Sequence, residues 1–190
     1  MLVATGRLSA ADLSNGIGVA IFESMDGETF WPSGPFQNVV GGLEPGERNV
    51  ISGNRGAGVS IANADHNSIV GNYIGTDCEG KTSIPNGDGV SLLDRAKENV
   101  IGPGNVISGN GGNGVAIRDE DNVGNIIGAN AEEEGPLGNG RYGVFIEGPA
   151  KDNLIGGSDD DANVIAYNRE GAIVTEGSSG NSTDGNSVDG

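Results

Sequence analysis

The fold is decided by the stretch Asn49-Val-Ile-Ser-Gly-Asn54, which is followed by Gly58-Val-Ser-Ile61 and then by Asn67-Ser-Ile69. In Gly58-Val-Ser-Ile61 the two aliphatic residues are two positions apart, so both side chains point to one face of a β-strand. Each Asn-x-Ile phrase predicts another short strand whose aliphatic residue points inward. The Gly and Asn residues between the strands suit sharp corners. The stretch therefore predicts three short strands joined by three corners.

Both phrases return along the chain, which is the signature of a repeat architecture. The first residues of the six Gly-Val-x-Ile copies are 40, 31, 25, 29 and 28 positions apart. The copies are Gly18-Val-Ala-Ile21, Gly58-Val-Ser-Ile61, Gly89-Val-Ser-Leu92, Gly114-Val-Ala-Ile117, Gly143-Val-Phe-Ile146 and Gly171-Ala-Ile-Val174. Stacking such units buries a continuous aliphatic core that no single unit buries alone. The sequence predicts one all-β solenoid domain over 1–190, with a cap or partial coil at 1–17 and about six three-strand coils at 18–188.

The asparagines predict hydrogen-bonded stacks at the corners between strands. Asn49, Asn105 and Asn163 are expected at equivalent corners two coils apart. A second stack is expected to contain Asn67, Asn99, Asn125 and Asn153.

The phrases from Asn49 to Thr76 resemble right-handed parallel β-helix repeats of the pectate-lyase-like superfamily, and the likeness covers about residues 15 to 188. The resemblance implies a right-handed coil. That superfamily includes polysaccharide lyases, hydrolases and epimerases, phage tailspikes and repeat regions of secreted adhesins, so the resemblance is specific for the fold and leaves the function open.

Composition excludes several classes of protein. Gly contributes 36 and Asn 21 of the 190 residues, and both are poor helix formers, so a helical bundle is excluded. A net charge of −17 repels phosphate backbones and anionic lipid, which argues against nucleic acid and membranes as partners. Cys78 is the only cysteine and His66 the only histidine, so a disulfide, a thiolate cluster and a multi-histidine zinc site are excluded.

The candidate catalytic residues are few. On the outward side of the Gly-Val-x-Ile strands, only Arg118 and Glu147 carry charge, one coil apart, and a salt bridge between coils is the favoured interpretation. His66 adjoins Asp65 and is a weaker candidate. A lyase needs a base and a cation to neutralise the substrate carboxylate, whereas a hydrolase needs two carboxylates. Whether the chain is an enzyme therefore stays open.

Two further groups are candidate binding residues. The chain is rich in oxygen ligands, which favour Ca²⁺ over a transition metal. The candidate calcium ligands are Asp159, Asp160 and Asp161, and Asn86-Gly-Asp88 is a second candidate site. Solvent-exposed loops without a metal are the favoured interpretation of both segments. Phe30, Trp31 and Phe36 form an aromatic group that either stacks on sugars or, as favoured here, caps the N-terminal end of the core.

The leading functional hypothesis is a rigid β-helix module of an extracellular or cell-surface protein, with polysaccharide as its candidate ligand. The alternative is a carbohydrate-active hydrolase, lyase or epimerase. The first residues lack the pattern of a signal peptide. The polar sixth coil predicts a C-terminal truncation, or self-association of coils end to end or side by side.

Overall fold

The computed structural model describes residues 15–22, 37–44, 46–118, 126–129, 137–156 and 164–189. Within these ranges every regular element is a β-strand. In chain order the strands are β1 (Val19–Phe22), β2 (Val39–Gly41), β3 (Val50–Ile51), β4 (Val59–Ala62), β5 (Ser68–Val70), β6 (Tyr73–Ile74), β7 (Val90–Leu93), β8 (Val100–Ile107), β9 (Val115–Ile117), β10 (Ile126–Ala129), β11 (Tyr142–Glu147), β12 (Leu154–Ile155), β13 (Val164–Ala166), β14 (Gly171–Glu176) and β15 (Ser187–Asp189).

The strands form the parallel sheets of a β-solenoid, as the repeats predict. The first sheet has the order β1-β4-β7-β9-β11-β14, with one Gly-Val-x-Ile strand from each of six coils. The second sheet has the order β12-β10-β8-β5-β2. On the third side β6 pairs with β3 and with the end of β8, and β13 pairs with β15. All strand pairs in the described part of the chain are parallel, which fits a chain that returns to the same side once per coil.

The three-strand description is complete in four coils: the first, second, third and fifth. In the third coil a single strand, β8, serves both the second sheet and the third side. The third position of the fourth coil lies outside the described residues. In the sixth coil the second position forms only isolated bridges, between Lys151 and Ser179 and between Leu154 and Ser182. The coils are therefore less uniform than the six equal units that the sequence predicts.

The core is the aliphatic column that the Gly-Val-x-Ile phrase predicts. The predicted inward residues are all buried, at 0 to 8 % exposure: Val19, Ile21, Val59, Ile61, Val90, Leu92, Val115, Ile117, Val144 and Ile146. The Asn-x-Ile strands add Ile69, Ile74, Ile101 and Ile155, each fully buried. Because each coil places its aliphatic residues on those of the next, one core runs through the stack.

The sixth Gly-Val-x-Ile copy was aligned wrongly by one residue. β14 pairs with β11 so that Val144 faces Ile173 and Phe145 faces Val174, which places Ala172 opposite Gly143. The interval from Gly143 to Ala172 is then 29, equal to the interval from Gly114 to Gly143. A one-residue shift exchanges the two faces of a strand. The outward residues of this coil are therefore Val174 and Glu176, and not Ile173 and Thr175.

The glycine that opens each phrase is required by the close approach of neighbouring coils. A Cβ atom on Gly89 would lie 2.5 Å from the carbonyl oxygen of Gly114 and 2.5 Å from Ile107. A Cβ atom on Gly58 would lie 2.8 Å from the carbonyl oxygen of Gly89. Real Cβ atoms do not approach other atoms so closely, so a larger residue at these positions would push the coils apart.

The corner asparagines form ladders in which each residue binds the same residue of the next coil. Asn67 donates through its backbone nitrogen (2.9 Å) and its Nδ2 atom (3.0 Å) to Oδ1 of Asn99. Asn49 donates in the same way to Asn72, and Asn72 to Asn105. Both predicted stacks are thereby confirmed for the described residues; Asn125 and Asn163 lie outside them.

A third ladder was not predicted. It runs from Asn15 through Asn54, Asn86, Asn110 and Asn139 to Asn168. Its members stand three or four positions before the glycine of each phrase, a spacing that was visible in the sequence. Among the described non-glycine residues with positive φ, Asn63 is the one asparagine. The ladder asparagines therefore serve the corners through side-chain hydrogen bonds and not through a left-handed backbone.

Candidate functional site

Among the described residues, a group of charged and aromatic side chains lies together on the outer face of the first sheet, at its third to sixth coils. Arg118 follows β9 and Arg141 precedes β11, while Tyr142 and Phe145 belong to β11. We call these four residues the Arg–aromatic cluster. The sequence had placed Arg118 and Phe145 on this face but had given no role to Arg141 or Tyr142.

The two rings of the cluster stack on each other. Their centroids are 5.5 Å apart and their planes differ by 10°. The Arg141 guanidinium lies 5.5 Å from the Tyr142 centroid and 5.8 Å from that of Phe145, and the Arg118 guanidinium lies 5.9 Å from Phe145. These are cation–π distances. As a result Phe145 is only 6 % exposed although it points away from the core, and Tyr142 is half-buried.

The Arg118 side chain runs back along the outer face and does not point straight to the next coil. Arg118 comes after β9, yet its Nη1 atom lies 2.8 Å from Oδ2 of Asp88, which precedes β7. Its Nε atom is 3.7 Å from Oε2 of Glu147. The predicted pair with Glu147 therefore exists, but Asp88 is the closer partner.

The small residues Ser91 and Ala116 of this face are also buried, at 5 % and 0 % exposure.

Asp88 is held in place on both carboxylate oxygens. Oδ1 accepts hydrogen bonds from the backbone nitrogen of Asn113 at 2.8 Å and from its Nδ2 atom at 3.0 Å, and Oδ2 is bound by Arg118. Oδ1 of Asn86 is likewise occupied, by the backbone nitrogen and Nδ2 of Asn54. The calcium hypothesis for Asn86-Gly-Asp88 is therefore not favoured, because its oxygens serve the coil-to-coil contacts.

Arg141 makes a second ion pair with the sixth coil. Its Nε atom lies 3.1 Å from Oε2 of Glu170, and both side chains are close to half exposed. The hydrogen bond that Arg141 donates to Glu170 and the charge of that carboxylate raise the pKa of Arg141 above its usual value. The guanidinium is therefore a permanent cation at the rim of the cluster.

His66 does not join this group. It lies at the corner after β4, in the second coil, whereas Arg118 and Glu147 belong to the fourth and fifth coils. Its Nε2 atom is 2.9 Å from Oε2 of Glu98, and both side chains are at least half exposed. Oδ1 of the neighbouring Asp65 accepts a hydrogen bond from the backbone nitrogen of Lys97 at 2.9 Å. The Asp65-His66 pair thus contacts the next coil, and the structure does not bring it near a second catalytic candidate.

The remaining candidates lie outside the described residues. They are Phe30, Trp31 and Phe36 for ligand binding, and Asp159, Asp160 and Asp161 for calcium. Within the described ranges, no three His, Cys, Asp or Glu side chains are placed so that they could hold a metal ion. The same ranges contain no helix of the length and apolar character needed to cross a bilayer.

Comparison with known proteins adds no name to this fold. No family model, no curated protein and no solved structure matches the chain. What stands is therefore the class of architecture, a parallel β-helix. Its handedness and its place in the pectate-lyase-like superfamily stay predictions from the sequence.

Proposed function

We propose that this chain is a rigid β-helix scaffold module of an extracellular or cell-surface protein, and that it binds polysaccharide on the outer face of its first sheet. The observation that carries the scaffold role is the ladder system. Inner rungs such as Asn67 and Asn72 are fully buried and are hydrogen-bonded to the coil on each side. Such continuous coil-to-coil bonding suits a module that keeps its length and shape.

The Arg–aromatic cluster supports the polysaccharide part of the proposal. Apolar faces of sugars pack on aromatic rings, and guanidinium groups donate several hydrogen bonds in a fixed geometry. Tyr142 and Arg141 supply these two features side by side at the half-exposed rim. Because the chain carries a net charge of −17, an uncharged glycan fits this surface better than a polyuronate.

The experiment is a binding screen of the purified chain against neutral and acidic glycans. Tyr142→Ala should reduce glycan binding at least tenfold, because a few rigid aromatic side chains supply most of the binding energy of a contact surface. Tyr167→Ala is the matched control, because Tyr167 is also half exposed but lies at a corner between β13 and β14. Trp31→Ala tests the aromatic group near the N-terminus in the same assay. Equal binding by Tyr142→Ala and the wild type would refute the proposed surface and leave the scaffold role standing.

A polysaccharide hydrolase is the second candidate, favoured by one observation. Asp88 and Glu147 both lie within 4 Å of the Arg118 guanidinium. Their carboxylates are therefore within about 10 Å of each other, near the roughly 5 to 9.5 Å that separates the paired carboxyl groups of glycosidases. Against this candidate, Arg118 and Asn113 already occupy the oxygens of Asp88, whereas a hydrolase needs a carboxyl group that can deliver a proton.

Release of reducing ends from each glycan tests the hydrolase directly. We expect none above background, and the same low value for Glu147→Gln. Turnover by the wild type that disappears in Glu147→Gln, with an unchanged circular dichroism spectrum, would establish the hydrolase and overturn the non-catalytic proposal.

A further inference from the structure

The third asparagine ladder contains a chemically reactive dipeptide at three of its buried rungs. Asn86, Asn110 and Asn139 are each followed by glycine. Asparagine deamidates most readily before glycine, because glycine has no Cβ atom to hinder attack by its backbone nitrogen on the asparagine side chain. Asn54 is a buried rung of the same ladder, but the next residue, Arg55, has such a Cβ atom. The ladder therefore combines three reactive rungs with a slower one in similar surroundings.

Deamidation of an Asn-Gly dipeptide requires two nitrogen atoms to be free. The glycine backbone nitrogen loses its proton to a base and attacks Cγ of the asparagine, so that a C–N bond forms. The Cγ–Nδ2 bond then breaks, and Nδ2 leaves as ammonia after taking up a proton. Water opens the resulting five-membered imide and yields aspartate or isoaspartate, with no oxidation or reduction. Hydrogen bonds to the glycine N–H and to Nδ2 therefore control the reaction.

The fold occupies the glycine nitrogen at each of the three reactive rungs. The hydrogen bonds run to backbone oxygens, from Gly87 to Gly56 at 2.7 Å, from Gly111 to Asn86 at 2.9 Å and from Gly140 to Asn110 at 2.7 Å. Each acceptor belongs to the preceding coil. The attacking nitrogen therefore becomes free only when two neighbouring coils separate.

The fold also occupies the Nδ2 atom of each reactive rung. Nδ2 donates to Oδ1 of the next rung at 2.9 to 3.0 Å and to a backbone oxygen of the preceding coil. These backbone acceptors are Ile51 for Asn86 at 2.9 Å, Ile74 for Asn110 at 3.1 Å and Ile107 for Asn139 at 3.2 Å. The three asparagines are 2 to 5 % exposed, so base and water are kept from the amide as well.

We infer that Asn86-Gly87, Asn110-Gly111 and Asn139-Gly140 are modification sites that stay closed while neighbouring coils are in contact and deamidate when the coils separate. The product does not rebuild the rung. Aspartate in place of Asn86 lacks the Nδ2 donor for Oδ1 of Asn110 and brings a charge into a buried position. Isoaspartate lengthens the backbone and shifts the register of the coil. Deamidation therefore makes the opening of a coil contact permanent.

The first test compares the folded full chain with the chain unfolded in guanidinium chloride, in the same mildly alkaline buffer. Peptide mapping by mass spectrometry quantifies aspartate and isoaspartate at each asparagine. In the unfolded chain, the three rungs should deamidate at least about tenfold faster than Asn54. In the folded chain, they should deamidate at least about a hundredfold more slowly than in the unfolded chain. Equal rates in the two states would overturn the inference.

The second test connects deamidation to the coil contacts. A Cβ atom on Gly89 would lie 2.5 Å from the carbonyl oxygen of Gly114, so Gly89→Ala should speed deamidation of Asn86 and Asn110 in the folded chain at least about tenfold. Gly16→Ala is the matched control, since Gly16 has open space around it, and should leave both rates unchanged. Equal rates in the two variants would overturn the coupling to coil contact.

Low concentrations of guanidinium chloride open the wild-type contacts without a substitution, which keeps the test decisive if Gly89→Ala does not fold. Deamidation at Asn86 should then rise in parallel with amide hydrogen exchange at Gly87, and deamidation that does not follow this exchange would contradict the inference. A Cβ atom on Gly111 would make only an ordinary contact, at 3.4 Å. Gly111→Ala should therefore fold and suppress deamidation of Asn110 in the unfolded chain, while Asn139 still reacts.

The third test concerns the permanence of the change. Chains that have partly deamidated in guanidinium chloride are refolded, and the refolded fraction is separated and mapped. Aspartate and isoaspartate at the three rungs should be at least about tenfold less abundant in this fraction than in the starting mixture, because the altered chains leave buried ladder groups without partners. Equal abundance in both would refute the claim that the product cannot rebuild the ladder.

Discussion

Replacement of Asn86 by alanine should destabilise the protein more than its size suggests. Asn86 is 2 % exposed, and its Oδ1 atom accepts from both the backbone nitrogen and Nδ2 of Asn54, at 3.1 and 2.7 Å. Its Nδ2 atom donates to Oδ1 of Asn110 at 3.0 Å and to the carbonyl oxygen of Ile51 at 2.9 Å. Asn86→Ala removes all four bonds and leaves the two donors of Asn54 without partners, whereas the Ile51 carbonyl keeps its hydrogen bond from the Gly75 backbone nitrogen at 3.1 Å.

Each buried polar group that loses its partner costs about 1 to 3 kcal/mol, so the two Asn54 donors together cost about 2 to 6 kcal/mol. For a domain of this size that corresponds to a fall in Tm of roughly 4 to 24 °C. Urea unfolding followed by circular dichroism measures the free energy. Asn15→Ala is the control, because Asn15 ends the same ladder, is partly exposed and makes one 3.4 Å bond to Asn54. A loss below about 1 kcal/mol for Asn86→Ala, or equal losses for both variants, would refute the argument that satisfied ladder bonds hold the coils together.

Three further predictions concern the coil contacts. Gly89→Ala should lower the free energy of unfolding by more than about 2 kcal/mol, because the added methyl group overpacks the contact between coils. Gly16 has open space around it, so Gly16→Ala should leave the free energy measured by urea unfolding almost unchanged. Asp88→Ala should lower the free energy of unfolding by about 2 to 3 kcal/mol, because the buried Asn113 donors lose their acceptor. Glu147→Ala should lower it by about 0 to 1 kcal/mol, and equal losses for the two variants would contradict this order. Hydrogen bonds from the Lys81 backbone and the Thr82 side chain lower the pKa of Asp77. The Lys81 amide should therefore stay protected from hydrogen exchange above the ordinary carboxyl pKa and lose this protection as pH falls through the lowered value. NMR titration measures the change, and Asp77→Asn should abolish the pH response.

The sequence was a good guide to the interior and a weaker guide to the corners. The interior follows from period-two spacing, which is a property of the strand itself, so residues such as Val59 and Ile61 were assigned correctly. The slip at β14 arose because the phrase Gly171-Ala-Ile-Val begins with glycine, which favours aligning Gly171 with Gly143. Repeating the 29-residue interval of the preceding coil, from Gly114 to Gly143, gives the observed register instead.

The Arg118 contacts show where sequence comparison fails in physical terms. Comparing equivalent positions in neighbouring coils pairs Arg118 with Glu147, and that contact is present at 3.7 Å. The closer bond to Asp88 depends on the direction that a long, flexible side chain takes along the sheet. That direction is set by the Phe145 ring beside it and is not encoded in spacing. The stacking of Tyr142 on Phe145 was likewise not predictable, because strand alternation alone places the two side chains on opposite faces.

The place proposed for ligand binding follows from which residue positions are not already used by the fold. In each coil the inward positions belong to the core, the corner asparagines belong to the ladders, and the opening glycines belong to the close coil contacts. The outer strand positions are therefore the ones that can vary without breaking the stack. On the first sheet these positions are small in the second to fourth coils, at Ser60, Ser91 and Ala116, and become aromatic at Phe145 in the fifth coil. The Phe145 ring is itself only 6 % exposed, so we expect ligand contacts at the half-exposed Tyr142 that stacks on it, and the comparison of Tyr142→Ala with Tyr167→Ala tests this.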